Sequence, residues 1–384
     1  MSRHSKTILV LSATAGAGHV RAGEALVATA KALGLPLDVR HEDTLNFTSP
    51  LFKKLYSEMY FGVVNRSPEL WGYLYEKTEF KDPGKKKSPL LKVFDHFNYR
   101  TYSEMLERVR PDAVLCTHFL PYAAIADKLR TPSWRIPFFA VPTDYDVHSL
   151  WINPSITRYY VATTEAAWTV QAHGVPGRRI CVTGIPVMPG FSAAGNRSVA
   201  AKKLGLSPEP FTVMILSGGY GIGVVDELVS SLAQFLASFR KRKFQVLVVC
   251  GKNRSLYEKL RRLRFPKNAG VKLFEYISFV DTLMDSADVL VTKSGGLTVS
   301  EALAKNLPML IFDPIPGQEV RNADYLIEHG AAMSAINFTK LHFKLKRMIE
   351  EPEILETMRE NARTIAKPDA ARTILEDVLR QVGR

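Results

Sequence analysis

The segment from Lys293 to Ala323 constrains the fold of this chain more than any other stretch. An apolar run, Val289–Val291, precedes it and predicts a buried parallel strand. The loop Ser294–Thr298 carries almost no side-chain bulk, and a helical pattern of apolar residues follows it. Because a strand, a glycine turn and a helix N-terminus together present backbone N–H groups to an anion, this unit predicts a phosphate-binding site.

Polar side chains near this loop extend the predicted site. Glu301 is expected in the first turn of the helix, which Thr298 or Ser300 would cap, although an acid there also suits the helix dipole without any ligand. A second strand, Pro308–Phe312, ends in a polar loop at the sheet edge where α/β proteins bind ligands. The donors and acceptors expected there are those of Gln318, Glu319 and Asn322. An anion site beside groups suited to hydroxyls indicates a nucleotide joined to a sugar.

These two motifs, SGGLTVSEALAKNLPMLIF and PGQEVRNA, resemble the donor-binding signature of GT-B glycosyltransferases. They are most similar to the family of monogalactosyldiacylglycerol synthases and processive diacylglycerol glucosyltransferases (glycosyltransferase family 28), with MurG a more distant relative. The resemblance implies that Glu301 binds the ribose of UDP and that Gln318 and Glu319, with Asn322 beside them, hold the sugar. It also implies that the diphosphate lies against Ser294, Gly295, Gly296, Leu297 and Thr298.

Composition limits the class of protein. The 384 residues are enough for two domains, and no apolar stretch approaches the ~20 residues of a membrane span. The polar start of the chain does not resemble a secretory signal, so we expect a cytoplasmic protein. The three widely spaced cysteines favour neither a disulfide framework nor a zinc site. The net charge of +13 favours an anionic membrane surface or a phosphorylated substrate, and without a nucleic-acid-binding motif we expect no nucleic-acid partner.

The N-terminal part repeats the strand–glycine–helix pattern. A strand within Lys6–Leu11 leads to a loop with Gly16, Gly18 and His19, and a helix is predicted from Arg21 to Leu33. The loop has neither P-loop nor dinucleotide spacing, but it is similar to the glycine loop of the family, which also ends in histidine. Plant members carry an aspartate at the position of Thr14.

A segment from about residue 44 to 101 is crowded with aromatic residues and interleaved with lysines, among them Lys85–Lys87. This pattern suits a membrane interface, and the alternative is a helical pair packed on the domain beside a solvated loop. With the resemblance, it predicts peripheral attachment to the inner face of the cell membrane.

Two further buried strands, Ala113–His118 and Pro137–Val141, indicate a parallel doubly wound sheet. The second is followed by Thr143, Asp144, His148 and Trp151, which match a T-D-x-x-x-H-x-x-W run of the family. The resemblance places that run in an interdomain cleft. Asp144-Tyr145-Asp146 also fits the metal-binding DxD of the GT-A fold, but the two-sheet pattern contradicts that fold.

The predicted architecture is an α/β GT-B fold, two Rossmann-like doubly wound parallel-sheet domains facing a cleft. A linker in residues 192–210 separates an acceptor and membrane-facing domain, 1–195, from a UDP-sugar-binding domain, 205–365. A last helix in 366–384 is expected to cross back to the first domain. The second domain contains two further sets of predicted donor contacts. The glycines of its first loop, Gly218, Gly219 and Gly221, are expected to contact the diphosphate. By resemblance to related enzymes, Phe279 and Val280 are expected to contact the uracil base.

The resemblance implies inverting, metal-independent transfer of a hexose from UDP-glucose or UDP-galactose to diacylglycerol or to a glycosyl-diacylglycerol. His19 is the candidate general base, with Asp144 as the alternative base or orienting group. Acceptor contacts are expected from Gly16, Gly18, His118, His148 and Trp151. No cofactor or metal is expected. Two alternatives remain: a transferase with a soluble or peptidoglycan-type acceptor, and a non-catalytic UDP-sugar sensor.

Overall fold

The computed structural model describes residues 6–14, 16–54, 56, 72–73, 77, 89–131, 134–216 and 224–383. The chain divides into two compact units. The first unit comprises Met1–Pro189 together with Asp369–Arg384, and the second comprises Gly190–Pro368. The linker was predicted in 192–210, whereas the division lies at Pro189, and the C-terminal residues belong to the first unit.

Within the described ranges there are twelve strands, which form two sheets of six. The strands of the first sheet are β1 (Lys6–Ser12), β2 (Leu37–Asp43), β3 (Ala113–Cys116), β4 (Phe138–Ala140), β5 (Arg158–Val161) and β6 (Ile180–Val182). Those of the second are β7 (Phe211–Leu216), β8 (Phe244–Val249), β9 (Val271–Phe274), β10 (Val289–Thr292), β11 (Met309–Phe312) and β12 (Ala332–Ala335).

Helices connect the strands. The helices whose two ends are both described are α1 (Ala17–Ala32), α2 (Pro89–Val109), α3 (Leu120–Ala124), α4 (Ala126–Leu129), α5 (Thr164–Ala172), α6 (Pro189–Ser192), α7 (Arg197–Lys203), α8 (Val225–Ala237), α9 (Arg254–Arg261), α10 (Val280–Ser286), α11 (Gly296–Ala304), α12 (Gln318–Glu328), α13 (Phe338–Glu350), α14 (Pro352–Ile365) and α15 (Ala370–Val382). Among them, none is long and apolar enough to span a bilayer.

Every strand pairing in both sheets is parallel. The order is β2-β1-β3-β4-β5-β6 in the first sheet and β12-β11-β10-β7-β8-β9 in the second. The order therefore reverses between β1 and β3 in the first unit, and between β7 and β10 in the second. Ligands of open α/β sheets bind at the carboxyl ends of strands at such a switch point, so each unit has one favoured site.

Strand β1 shows why these segments form buried strands. Its side chains alternate between the two faces, and all of them from Ile8 onward are buried. Leu9 and Leu11 pack in one apolar cluster with Tyr102 of α2, while Ile8 and Val10 pack in another with Ile374 of α15. Helices thus cover both faces of the sheet, as a continuous apolar strand requires.

Helix α15 is fixed to the first sheet by a buried carboxylate. Asp377 accepts hydrogen bonds from Arg158 at 2.9 Å and from the Tyr160 hydroxyl at 2.8 Å. Arg158 and Tyr160 both lie on β5. The last helix of the chain is therefore part of the first unit.

The predicted aromatic and basic segment, about 44–101, lies partly outside the described residues. Its described rings pack together: Phe52 stacks on Tyr56 with ring centroids 5.6 Å apart and contacts Tyr99 of α2 edge-on at 5.4 Å. Tyr56 lies 6.3 Å from the ring of His118. These aromatic residues therefore border the end of β3. The residues of this segment outside the description are 55, 57–71, 74–76 and 78–88, which include the predicted basic turn at Lys85–Lys87.

Candidate functional site

The loop after β10 has the predicted strand–glycine–helix form. Helix α11 begins at Gly296 with Gly295 as its N-cap, and no side chain caps it within the described residues. The N–H groups of a first helical turn have no acceptor inside the helix, and the helix dipole adds positive potential there. The loop Ser294–Thr298 can therefore bind an anion through its backbone.

The helix begins earlier than the sequence pattern predicted, and two expectations are wrong as a result. Neither Thr298 nor Ser300 is the N-cap, because both lie inside the helix, where Ser300 donates to the Gly296 carbonyl at 2.7 Å. Glu301 lies in the second turn, and the first turn contains no acidic residue. The cause is that glycine takes the N-cap position. Gly295 has no capping side chain that would mark the boundary in the sequence, and the helix begins at Gly296, before Val299, the first apolar residue of the pattern.

Glu301 is buried, with 6% of its surface exposed. An acid that served only the helix dipole would remain in solvent, since burial of a carboxylate costs several kcal/mol unless other groups bind it. The burial of Glu301 therefore indicates that its carboxylate binds other groups of the protein or a ligand, and does not serve only to interact with the helix dipole.

Gln318 and Glu319 begin a helix and are not part of a loop, which corrects the sequence interpretation. Gly317 is the N-cap of α12 and has φ of 93°, a conformation that glycine adopts without strain. Glu319 then folds back, and its carboxylate accepts from the Ile315 N–H at 2.7 Å. Asn322 is buried and donates to the Ser294 carbonyl at 2.9 Å. The structure thus assigns Glu319 and Asn322 to a frame around the anion loop.

Two charged residues that the sequence analysis missed lie at the same sheet edge. Lys293 follows β10 and forms an ion pair with Asp313, which follows β11, at 3.2 Å. Asp313 has φ of 54°, a left-handed conformation that is costly for a residue other than glycine. A small cavity lies against both residues, with Leu216 and Phe312 in its apolar lining. Their positions directly after neighbouring parallel strands were the signal that could have identified them.

Three further donor predictions concern glycines outside the described residues: Gly218, Gly219 and Gly221. Phe279 is half-buried at the N-cap of α10 and contacts Phe274 edge-on, with ring centroids 6.4 Å apart; Val280 is the first residue of that helix. That Phe279 and Val280 contact a base stays a prediction.

In the first unit, helix α1 begins at Ala17, so Gly18 and His19 lie in its first turn and not in a loop. Gly16 is the N-cap with φ of 123° and ψ of 154°, which a side chain would strain. The Nδ1 atom of His19 lies 2.9 Å from the Thr117 carbonyl oxygen and 2.8 Å from the Thr143 hydroxyl. The Thr117 hydroxyl in turn donates to the His19 carbonyl at 2.8 Å. The start of α1 and the segments after β3 and β4 therefore meet at this imidazole.

The hydrogen-bond partners of the three candidate histidines distinguish their tautomers. A carbonyl oxygen only accepts, so Nδ1 of His19 carries the proton and its Nε2 holds the lone pair. In contrast, Nδ1 of His118 accepts from the Leu120 N–H at 3.0 Å, and Nδ1 of His148 accepts from the Leu150 N–H at 3.1 Å. Neutral His118 and His148 therefore carry their protons on Nε2, where they can donate. Of the three, His19 has the tautomer of a general base acting through Nε2.

Burial lowers the pKa of two of these imidazoles, those of His19 and His118. It lowers the pKa of His19 to about 4, against which the hydrogen bond with Thr117 acts only weakly. Burial, and next the nearby His19, lower the pKa of His118 well below its usual range. The rings of His19 and His118 meet edge-on with centroids 4.6 Å apart, and Trp151 lies 6.5 Å from His19. The structure thus brings His19, His118 and Trp151 together.

Carboxylates border this site at two places. Asp144 is half-buried in the bend after β4, directly following Thr143, and its role as an alternative base stays a prediction. The Thr14 hydroxyl pairs with the carboxylate of Asp43, at the end of β2. A carboxylate therefore does approach the glycine loop, although it comes from the neighbouring strand. Among the described residues no three His, Cys, Asp or Glu side chains could hold a metal ion together, and metal independence stays a prediction.

Two family models cover most of the chain. The monogalactosyldiacylglycerol (MGDG) synthase model matches residues 19–187, and the glycosyltransferase family 28 C-terminal domain model matches residues 212–374. The chain is 30% identical to the processive diacylglycerol beta-glucosyltransferase of Bacillus cytotoxicus, across 97% of this chain and 93% of that protein. It is 26% identical to the protein of the same name from Bacillus subtilis, across 98% and 96%.

Solved structures share the fold. MurG of Acinetobacter baumannii superimposes with a TM-score of 0.65 at 15% identity, covering 98% of this chain and 99% of that one. The S. aureus MnaA–UDP co-structure gives 0.63 at 14% identity, covering 98% and 97%. These likenesses, with the two parallel sheets, confirm the predicted α/β fold of GT-B type. The relative that is 30% identical along nearly the whole chain, together with the two family matches, shows that this chain is a glycosyltransferase of family 28, in the family of monogalactosyldiacylglycerol synthases and processive diacylglycerol glucosyltransferases.

Proposed function

We propose that this protein transfers a hexose from a UDP-sugar to diacylglycerol, or to the sugar of a glycosyl-diacylglycerol, with inversion and without a metal. The observation that carries the proposal is the similarity to processive diacylglycerol beta-glucosyltransferases across 97% of the chain. Because those relatives are named glucosyltransferases, we expect UDP-glucose as the donor. UDP-galactose is the other arm of the test, since the matching family model is named for a galactolipid synthase.

On the donor side, the diphosphate would bind the backbone N–H groups at the start of α11, with Ser294–Thr298 around it. Glu301 would bind the ribose hydroxyls. Gln318 and Glu319 would hold the sugar, and the Glu319 carboxylate would at the same time keep its hydrogen bond from the Ile315 N–H. The leaving diphosphate gains negative charge as the glycosidic bond breaks. Uncapped helical N–H groups, already oriented by the frame of Ser294 and Asn322, stabilise such charge without reorganisation.

On the acceptor side, His19 would take the proton of the attacking hydroxyl through Nε2. The lone pair on Nε2 is available to accept the proton, and the lowered pKa keeps the ring neutral at neutral pH. The oxygen then attacks the anomeric carbon from the side opposite the diphosphate, which inverts the configuration. The Nε2–H groups of His118 and His148 suit hydrogen bonds to acceptor oxygens, and Trp151 would pack against the acceptor.

We further propose that the protein acts at the inner face of the cell membrane, as a peripheral protein in the cytoplasm. The support is the excess of 51 lysines and arginines over 38 aspartates and glutamates, which favours anionic lipid surfaces. The apolar acceptor points the same way, since diacylglycerol resides in a bilayer.

The proposal is tested with radiolabelled UDP-glucose and UDP-galactose, each incubated with the protein and diacylglycerol in mixed micelles. Labelled glycolipid is expected from the glucose donor and not from the same reaction with His19→Ala. UDP binding is measured in parallel by calorimetry. Binding without product from either donor would contradict the proposal and favour a sensor. Product only with a soluble or peptidoglycan-type acceptor would reassign the substrate.

A further inference from the structure

We propose that Thr143 is a positioning residue which, with the backbone carbonyl of Thr117, holds His19 in the tautomer that leaves Nε2 unprotonated. The inference rests on the proposed role of His19 as the base. The motif that contains Thr143 predicted a catalytic role for Asp144 and none for the Thr143 hydroxyl.

The first step is the geometry around Nδ1 of His19. Two oxygens lie within hydrogen-bond distance of this one nitrogen, the Thr117 carbonyl at 2.9 Å and the Thr143 hydroxyl at 2.8 Å. They come from the ends of two neighbouring strands, β3 and β4, and both threonines are buried. The ring is therefore gripped from the side opposite Nε2.

The second step is the direction of the hydrogen bonds. If Nδ1 lacked a proton, its lone pair would face that of the Thr117 carbonyl at 2.9 Å, which is repulsive. The carbonyl therefore selects the Nδ1–H tautomer. With that proton in place, the Thr143 hydroxyl is its second acceptor, and the hydroxyl hydrogen turns away from the ring.

The third step concerns the proton transfer. When Nε2 takes the proton of the acceptor hydroxyl, the imidazole becomes a cation and Nδ1–H becomes a stronger donor. Two neutral oxygens then stabilise the cation, in the place where a catalytic triad has a carboxylate. Neutral partners orient the ring without raising its basicity much, so His19 remains unprotonated in the free enzyme.

The fourth step is that the Thr117 side chain fixes the backbone of His19. Its hydroxyl donates to the His19 carbonyl at 2.8 Å, while its own carbonyl accepts from the ring. Residue 19 is thus held by both its backbone and its side chain. With the backbone fixed, Thr143 determines the angle of the ring.

The test compares Thr143→Val, which keeps the shape and removes the hydroxyl, with Thr143→Ser, which restores it. We expect Thr143→Val to lower kcat about tenfold, the loss of one hydrogen bond to a charged group, with KM for UDP-glucose unchanged. Thr143→Ser should retain most of kcat. Thr163→Val is the matched control, because Thr163 is equally buried, at 4% exposed, and hydrogen-bonds through its hydroxyl to Tyr145 and Ala166. It should lower thermal stability and leave kcat unchanged.

A spectroscopic readout separates this inference from the proposed function. In protein labelled with nitrogen-15 histidine, the His19 signals are assigned by their loss in His19→Gln. The wild type should show the proton on Nδ1, and Thr143→Val should shift the Nδ1 resonance. A proton on Nε2, or a Thr143→Val protein with unchanged resonance and kcat, overturns the inference. If the wild type forms no glycolipid at all, the proposed function fails and the spectra still decide the hydrogen bond.

Discussion

The hydroxyl of Ser294 donates to the backbone carbonyl of Glu319 at 2.6 Å. Asn322, one turn further along α12, returns a hydrogen bond to the Ser294 carbonyl at 2.9 Å. Ser294 and Asn322 are both fully buried, so water does not compete for these bonds. The anion loop after β10 and the start of α12 are therefore held together as one piece, and the loop N–H groups keep their orientation before any ligand arrives.

Removing this link should weaken donor binding. In Ser294→Ala the hydrogen bond from the Ser294 hydroxyl to the Glu319 carbonyl is lost, which costs about 0.5–1.5 kcal/mol, and the loop can move relative to α12. We expect KM for UDP-glucose to rise about tenfold with a smaller fall in kcat, measured by steady-state kinetics. Ser286→Ala is the control, because Ser286 is also buried but its hydroxyl donates to the Leu283 carbonyl inside α10. If both variants changed KM equally, general destabilisation would explain the effect.

A second prediction concerns the buried carboxylate of α11. Glu301→Ala should raise KM for UDP-glucose about 10- to 100-fold, because hydrogen bonds from a ligand to a charged group contribute about 1.5–3 kcal/mol. The change in kcat should be small, since the ribose is bound equally in ground and transition states.

The matched control for Glu301 is Asp377→Asn. Asp377 has the same exposed fraction, 6%, but it pairs with Arg158 and Tyr160 inside the first unit. Its replacement should lower thermal stability without raising KM. A Glu301→Ala enzyme with wild-type KM would show that the carboxylate does not bind the donor.

Local patterns predicted the two sheets and the neighbourhood of each site. Strand β10, the glycine loop and β11 were readable because apolar runs and glycines lie next to one another in the chain. The start of each site helix was not readable. Both α1 and α11 begin after a glycine N-cap, Gly16 or Gly295, and no capping side chain marks the boundary.

The partners of the site residues could not be predicted at all. His19 meets Thr117 and Thr143, which are 98 and 124 positions away in sequence. Lys293 meets Asp313 only because β10 and β11 are neighbours in the sheet. Such contacts depend on the order of the strands in the sheet, and local sequence patterns do not reveal that order.

A third prediction tests how tightly strands β8 and β9 approach each other. Gly270 has φ of 51°, and a Cβ there would lie 2.6 Å from the Phe244 carbonyl oxygen. Gly205 has φ of 61°, but no described atom lies within 4 Å of a Cβ placed there. Gly205→Ala should therefore cost only the left-handed strain, about 1 kcal/mol, and Gly270→Ala about 1–3 kcal/mol more. Urea unfolding measures both, and equal losses would contradict the close approach.

A fourth prediction concerns acid stability. Burial lowers the pKa of His19 from 6.5 to about 4, and lowers that of His118 well below its usual range. Between pH 6.5 and 4 the unfolded chain therefore binds protons that the folded chain does not. The stabilisation is complete above pH 6.5 and is lost as the pH falls towards 4, to the extent of about 3 kcal/mol for His19.

The measurement is the free energy of unfolding in urea between pH 7.5 and pH 4.5, for the wild type and for His19→Gln. Glutamine cannot take up a proton in this range, so the unfolded chain of the variant does not bind a proton at position 19. The variant should lose less stability on acidification than the wild type, whatever its stability at pH 7.5. Parallel pH dependences in the two proteins would mean that His19 is accessible to protons in the folded state. They would also contradict the lowered pKa that keeps the imidazole of the proposed base neutral in the folded state.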